Sequence, residues 1–181
     1  MAEHLDAAEL FRRHATFVAS FLVRLGANRN HVDDLVQDVF LVAHRRGGFE
    51  LGPARPTTWL AQIALRVFSG HRRRRRRRPE QPDTNRVTAE LASSNDPGQQ
   101  AQTQQALERV QQALEQLDEN KRAIFILYEL QGESCEAIAA GLGIPVGTVY
   151  SRLHHARKRF RQAHQKLLGA TAPTREQRRA G

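Results

Sequence analysis

The sequence predicts an all-α fold of two small helical domains joined by a flexible linker, with a helix-turn-helix in the C-terminal one. Three observations predict it. Apolar residues recur at steps of three and four through most of the chain, and no stretch alternates as a strand would. Pro79–Gln105 is rich in Pro, Asp, Ser, Asn and Gln and has little to bury, so it cannot offset its ordering entropy. Ser134–Leu153, SCEAIAAGLGIPVGTVYSRL, reads as two short helices around a tight turn. The implied division is a domain over 1–78, a linker over 79–105, a second domain over 106–168 and a basic tail over 169–181.

The first helix runs from Ala7 to Leu25, with Leu10, Phe17, Val18, Phe21, Leu22 and Leu25 on one face, and Gly26 ends it. Asn30 is the expected cap of the second helix, with Asp33 completing a weak capping box. Val32, Leu35, Val36, Val39, Phe40 and Ala43 form its apolar stripe, and Asp34, Gln37, Asp38 and Arg45 its opposite face. Gly47, Gly48, Gly52 and Pro53 mark a loop. The third helix starts near Pro56, carries Trp59, Leu60, Ile63, Ala64, Val67 and Phe68 on one side, and runs into the arginine block Arg72–Arg78.

Beyond the linker, Leu107, Val110, Leu114 and Leu117 define a fourth helix. The next begins at Asp118 or Glu119 and buries Ile124, Phe125, Leu127, Tyr128 and Leu130. In the helix pair, Ser134 is the N-cap, and Ile138, Ala139 and Leu142 are the inner face. Gly143 supplies a left-handed end and Pro145 a ready-made start for the next helix. Val149 and Leu153 hold the two helices together. Thr148, Tyr150, Ser151, Arg152, His154 and His155 are left pointing outward. Arg157, Lys158, Arg159, Arg161 and Lys166 extend that helix as a basic stripe suited to a phosphate backbone.

The bulk numbers bound the function. The 181 residues carry a net charge of +9 and a pI near 11.0, which favours an anionic partner. No apolar run approaches the roughly 20 residues of a membrane span. The N-terminus, MAEHLDAAEL, lacks the basic-then-apolar design of an export signal, so a cytoplasmic location is expected. Cys135 is the only cysteine, which excludes an intrachain disulfide. It follows a helix cap, where a thiol pKa can fall, but a small residue tolerated near a turn is the favoured reading. His154 and His155 point about 100° apart on a helix and form no metal clamp. There is no phosphate-cradling Gly loop, nucleophile elbow or metal motif, so neither an enzyme nor a cofactor or metal is expected.

DDLVQDVFLVAHR at 33–45, TTWLAQIALRVFSGHRRRR at 57–75 and LEQLDENKRAIFILYELQGESCEAIAAGLGIPVGTVYSRLHHARKRFRQ at 114–162 resemble the extracytoplasmic-function (ECF) sigma factors of bacterial RNA polymerase. The resemblance implies a protein that binds core RNA polymerase and directs it to promoter DNA. An anti-sigma protein would be a further partner. It implies that Asp34, Gln37 and Asp38 meet the coiled-coil clamp of the polymerase's largest subunit. It puts the third helix at the melted (−10) element, with Trp59 as candidate stacking group and Arg66, His71, Arg73 and Arg74 as further DNA contacts. Trp59 shares the stripe of Ile63 and Val67, which favours a core role.

The upstream (−35) element would be read by Thr148, Tyr150, Ser151, Arg152, His155 and Arg159. Arg152 is suited to guanine, and Thr148 and Ser151 to phosphates. The chain also departs from the pattern. Arg66 replaces a usual Asn, Gly70 a usual Asp, Thr57 a frequent aromatic and Tyr150 a common Lys. The first three changes remove groups suited to holding a flipped base, while the arginine run supplies affinity that ignores sequence. The rival readings are a stand-alone helix-turn-helix regulator, a nonspecific nucleic-acid-packaging protein and a basic helical scaffold.

Overall fold

The computed structural model describes residues 4–50, 52–77 and 97–171. Arg78, residues 79–96 of the expected linker and residues 172–181 of the expected tail lie outside the described residues. The front domain is α1 (Ala7–Leu25), α2 (Arg29–Arg45) and α3 (Pro56–Arg77). The rear domain is α4 (Pro97–Glu115), α5 (Glu119–Phe125), α6 (Cys135–Leu142) and α7 (Val146–Thr171). A π-helical turn, Ile126–Leu130, continues α5.

Local chemistry sets most boundaries. The Asp6 carboxylate accepts from the Glu9 amide at 2.7 Å and caps α1, and Gly26, at φ 100°, closes its other end. Asn28, not Asn30, caps α2: its side chain accepts from the Asn30 amide at 3.0 Å. Two Asn residues two apart are equal candidates by type. The Gly26 turn leaves Asn28 extended, which is the backbone a cap needs. The six apolar residues of the expected α2 stripe are all buried.

Two features run against the sequence reading. His4–Leu5 (β1) pairs antiparallel with Phe49–Glu50 (β2), with His4 opposite Glu50 and Leu5 opposite Phe49. Strands of two residues are too short to show a period of two. Residues 97–105, expected in the linker, are the first half of α4. Gln and Ala are good helix formers, and α4 packs along α7. Likewise α7 runs on to Thr171, past the expected start of the tail.

The rear domain is assembled as its caps demand. Asp118 caps α5 and Ser134 caps α6, accepting from the amides of Lys121 (3.0 Å) and Ala137 (3.1 Å). Gly143, at φ 66°, ends α6 and lets Pro145 lead into α7. Val149, Leu153 and Ala156 bury one side of α7 against α5 and α6.

The two domains pack on each other, which no sequence pattern announced. α3 lies across α5 and α6, and α1 touches α4 and α5. Gly141 of α6 sits directly on Thr58 of α3; a Cβ there would overlap the Thr58 side chain and stand 2.9 Å from its carbonyl carbon. Gln62 donates to the Leu142 carbonyl at 2.9 Å and satisfies a free end of α6. Thr57 donates to Glu133 at 2.8 Å, and the other Glu133 oxygen faces Arg55 at 3.4 Å. Glu119 accepts from Ser69 and pairs with Arg72 at 2.7 Å.

Candidate polymerase and DNA interface

Helical spacing puts Asp34, Gln37 and Asp38 on one face of α2, because its other side is held by the apolar stripe. All three are exposed. Leu41, one turn further, is 52% exposed on the same face and was missed by the sequence reading. The signal was there: Leu41 is a large apolar residue lying off the buried stripe. Carboxylates, an amide and a leucine on one helical face suit a partner helix that offers arginines beside apolar groups.

On α3 the candidates divide. Trp59 is half-buried and packs against Phe49 at 5.5 Å between ring centroids, so it belongs to the core edge. Arg66, Arg73 and Arg74 are exposed, and α3 stays helical through Arg77. His71 is half-buried beside His31, with ring centroids 5.3 Å apart. Burial first, then the neighbouring His31, Arg75 and Arg74, pulls its pKa below the ordinary imidazole value, against the raising effect of Asp38. These surroundings disfavour the charged imidazole, so His71 is better suited to hydrogen bonding than to serving as a cation.

On α7, Tyr150, Ser151, His155 and Arg159 are exposed along the first turns, and Thr148 and Arg152 are half-buried. Tyr150 donates to the Glu136 carboxylate on α6 at 2.9 Å. That bond raises the phenol pKa and helps lower the carboxyl pKa, after the carboxyl's own backbone hydrogen bond. Glu136 was not foreseen, since only the fold brings residues 136 and 150 together. Ser151 donates to the Thr148 carbonyl at 3.1 Å, so its hydroxyl proton must swing out to meet a phosphate. The charge of Arg152 reaches Asp118, where it adds to the Lys121 bonds that outweigh burial and lower that carboxyl. His155 and Arg159 line an open cleft with Asp118, Lys121 and Lys158. Burial pushes the Cys135 thiol up, in keeping with a small buried residue near a turn and not with an activated thiol at a helix cap. Among the described residues no cluster of His, Cys, Asp and Glu could hold a metal. No described helix is long and apolar enough to cross a membrane.

The order of these surfaces along one chain is matched in known proteins. Residues 10–78 match sigma-70 region 2, and residues 107–160 match sigma-70 region 4. The chain belongs to the sigma-70 family. It is an ECF-type sigma factor, a factor of transcription initiation. The RNA polymerase sigma-H factor of Pseudomonas aeruginosa is 32% identical over 158 residues, covering 83% of this chain and 82% of that protein. The ECF RNA polymerase sigma factor SigE of Mycolicibacterium smegmatis is 34% identical over 175 residues, covering 91% of this chain and 63% of that protein. Among solved structures, the sigma factor RpoE of Bartonella quintana, in complex with the anti-sigma factor NepR, superposes with a TM-score of 0.63 at 26% identity. That match covers 89% of this sigma factor and 95% of RpoE. CnrH, in complex with the cytosolic domain of CnrY, gives 0.57 at 26% identity.

Proposed function

We propose that this sigma factor divides its work between the faces described above. Asp34, Gln37 and Asp38, with Leu41, hold core polymerase. Arg66, Arg73 and Arg74 contact promoter phosphates at the melted element, and His71 offers a hydrogen bond beside them. Thr148, Tyr150, Ser151, Arg152, His155 and Arg159 engage the upstream element. Trp59 supports α3 from the core edge, and the residues around it orient the basic end of the helix. The observation that carries the reading is the exposed row Asp34–Gln37–Asp38–Leu41, present in the same chain as a helix-turn-helix with an exposed polar second helix. A stand-alone regulator has no need of that row.

The chain performs no chemistry of its own in this reading; it positions the polymerase. Its site of action is the cytoplasm, where core polymerase and promoter meet. Because two of its structural neighbours are seen with partner proteins, one of them named as an anti-sigma factor, we also propose an anti-sigma protein as a partner. Run-off transcription with purified core polymerase tests the whole reading. Promoter-directed transcripts are expected only when the chain is added. Equal affinity for all DNA, with no start-site selection, would sink it in favour of a packaging protein.

A further inference from the structure

We propose that Glu136 and Tyr150 act as one base-reading unit, in which Glu136 directs the Tyr150 hydroxyl so that the pair selects the exocyclic amine of cytosine or adenine in the upstream element. The inference rests on the functional reading above and deepens it, naming the chemistry that one of its residues recognises.

Glu136 is out of place by charge. Helix α7 carries no acid between Val146 and Thr171, and Arg157, Lys158, Arg159 and Arg161 are exposed along it. Yet the Glu136 carboxylate lies exposed in the first turn of α6, 2.9 Å from the Tyr150 hydroxyl. The helix macrodipole favours an acid in a first turn, which accounts for Glu136 standing there. It does not account for the bond to Tyr150, which spans the turn of the helix pair.

That bond fixes which way the protons point. A phenol has one proton, and here it is given to Glu136, so the Tyr150 oxygen turns only lone pairs toward the groove. The Glu136 carboxyl is held below its ordinary pKa, first by its own backbone hydrogen bond and then by Tyr150, so it too is an acceptor. Whatever meets the pair must therefore donate. On the major-groove edges of the bases the donors are the N4 amine of cytosine and the N6 amine of adenine. Guanine N7 and O6 and thymine O4 are acceptors and would face lone pairs. Tyr150 is 54% exposed, so the side chain is open to a base. Arg152, two residues on, offers donors only, so neighbouring side chains of α7 read opposite classes of base.

The holoenzyme formed from the full chain and core polymerase tests this, with duplexes whose upstream element is randomised. At one position the unaltered chain should accept cytosine and adenine on the same strand and reject guanine and thymine by at least about fivefold. Replacing that adenine by purine, which lacks only the amine, should cost a similar factor. Tyr150→Phe should abolish both effects, alongside a uniform loss of affinity. Glu136→Ala releases the hydroxyl proton, so bases that accept are no longer rejected and the preference should disappear. Glu136→Gln keeps an acceptor for the hydroxyl and should retain the preference, which distinguishes direction of the bond from charge alone. Purine that costs nothing, or a profile unmoved by Tyr150→Phe and Glu136→Ala, overturns the pair as a reading unit. Loss of the preference in Glu136→Gln overturns the directing role of the bond. An unaltered holoenzyme with no preference at any upstream position sinks the functional reading itself, and the proposal with it.

Discussion

The guanidinium of Arg122 donates to the Leu25 carbonyl at 2.5 Å, so a side chain of α5 closes the C-terminal end of α1 in the other domain. Its second branch donates to the Leu117 carbonyl at 2.9 Å. Arg122 is 5% exposed, and burial lowers its pKa against the raising effect of Glu115, Glu119 and Asp118. A buried cation is held here by carbonyl dipoles at helix ends, where negative partial charge accumulates. Arg122→Ala should cost about 2–4 kcal/mol by denaturant unfolding, since charged hydrogen bonds are worth about 1.5–3 kcal/mol each and two carbonyls lose their donor. Arg122→Lys keeps the charge but reaches one carbonyl, and about half the loss is expected. A change below 0.5 kcal/mol, the order of a neutral surface substitution, would show that water replaces the guanidinium freely.

Asp38→Arg should weaken binding to core polymerase by at least about tenfold, because it reverses a charge on a face suited to arginines. Leu41→Asp should do the same without reversing a charge, through lost apolar contact. Neither residue lies on α7, so binding of an upstream-element duplex by the free chain should not change. Unchanged affinity for core in both variants would mean that another face makes the contact.

Arg152→Ala should relax base preference at one upstream position by about 1–3 kcal/mol, the discrimination of one paired contact to guanine. A uniform loss over all sequences, with the salt dependence falling by about one unit of slope, would reassign it to a phosphate. Tyr150→Phe offers a separate check. It frees Glu136, whose unshielded carboxylate should then repel the backbone and weaken binding across sequences.

Acid should loosen the front domain through His71. Its folded pKa lies below the ordinary 6.5, so above that value both folded and unfolded chains carry it neutral and stability is full. As pH falls through 6.5 toward the lower folded value, the unfolded chain takes up the proton first and stability is lost. Thermal unfolding between about pH 7 and pH 5 should therefore show a falling midpoint that His71→Gln flattens. Some slope should persist from His14, also lowered by burial and by the charge of Arg13. An identical slope in the variant would take His71 out of the account.

What the sequence showed and what it hid follow from range. The stripes of α1, α2 and α3, and the ends set by Gly26, Ser134 and Gly143, depend on residues within one or two turns, and these were legible. The cap of α2 moved from Asn30 to Asn28 because the preceding turn, not residue type, chose between them. The first half of α4 was hidden because Gln99–Gln105 has helix propensity but no apolar stripe, and its packing partner α7 lies far along the chain. The exposed row on α2 could be read, and Leu41 with it, from spacing alone. The Glu136–Tyr150 bond and the pairing of Thr57 with Glu133 could not, since such contacts leave no local periodicity.

The close seating of Gly141 on Thr58 also limits how such proteins can be recombined. Residue 58 belongs to the front half and residue 141 to the back half, and neither can grow unless the other shrinks. Chimeras that join the head of one relative to the tail of another would inherit mismatched halves of this contact. A library of such hybrids should therefore sort by the summed bulk at these two positions, even where each half is sound on its own.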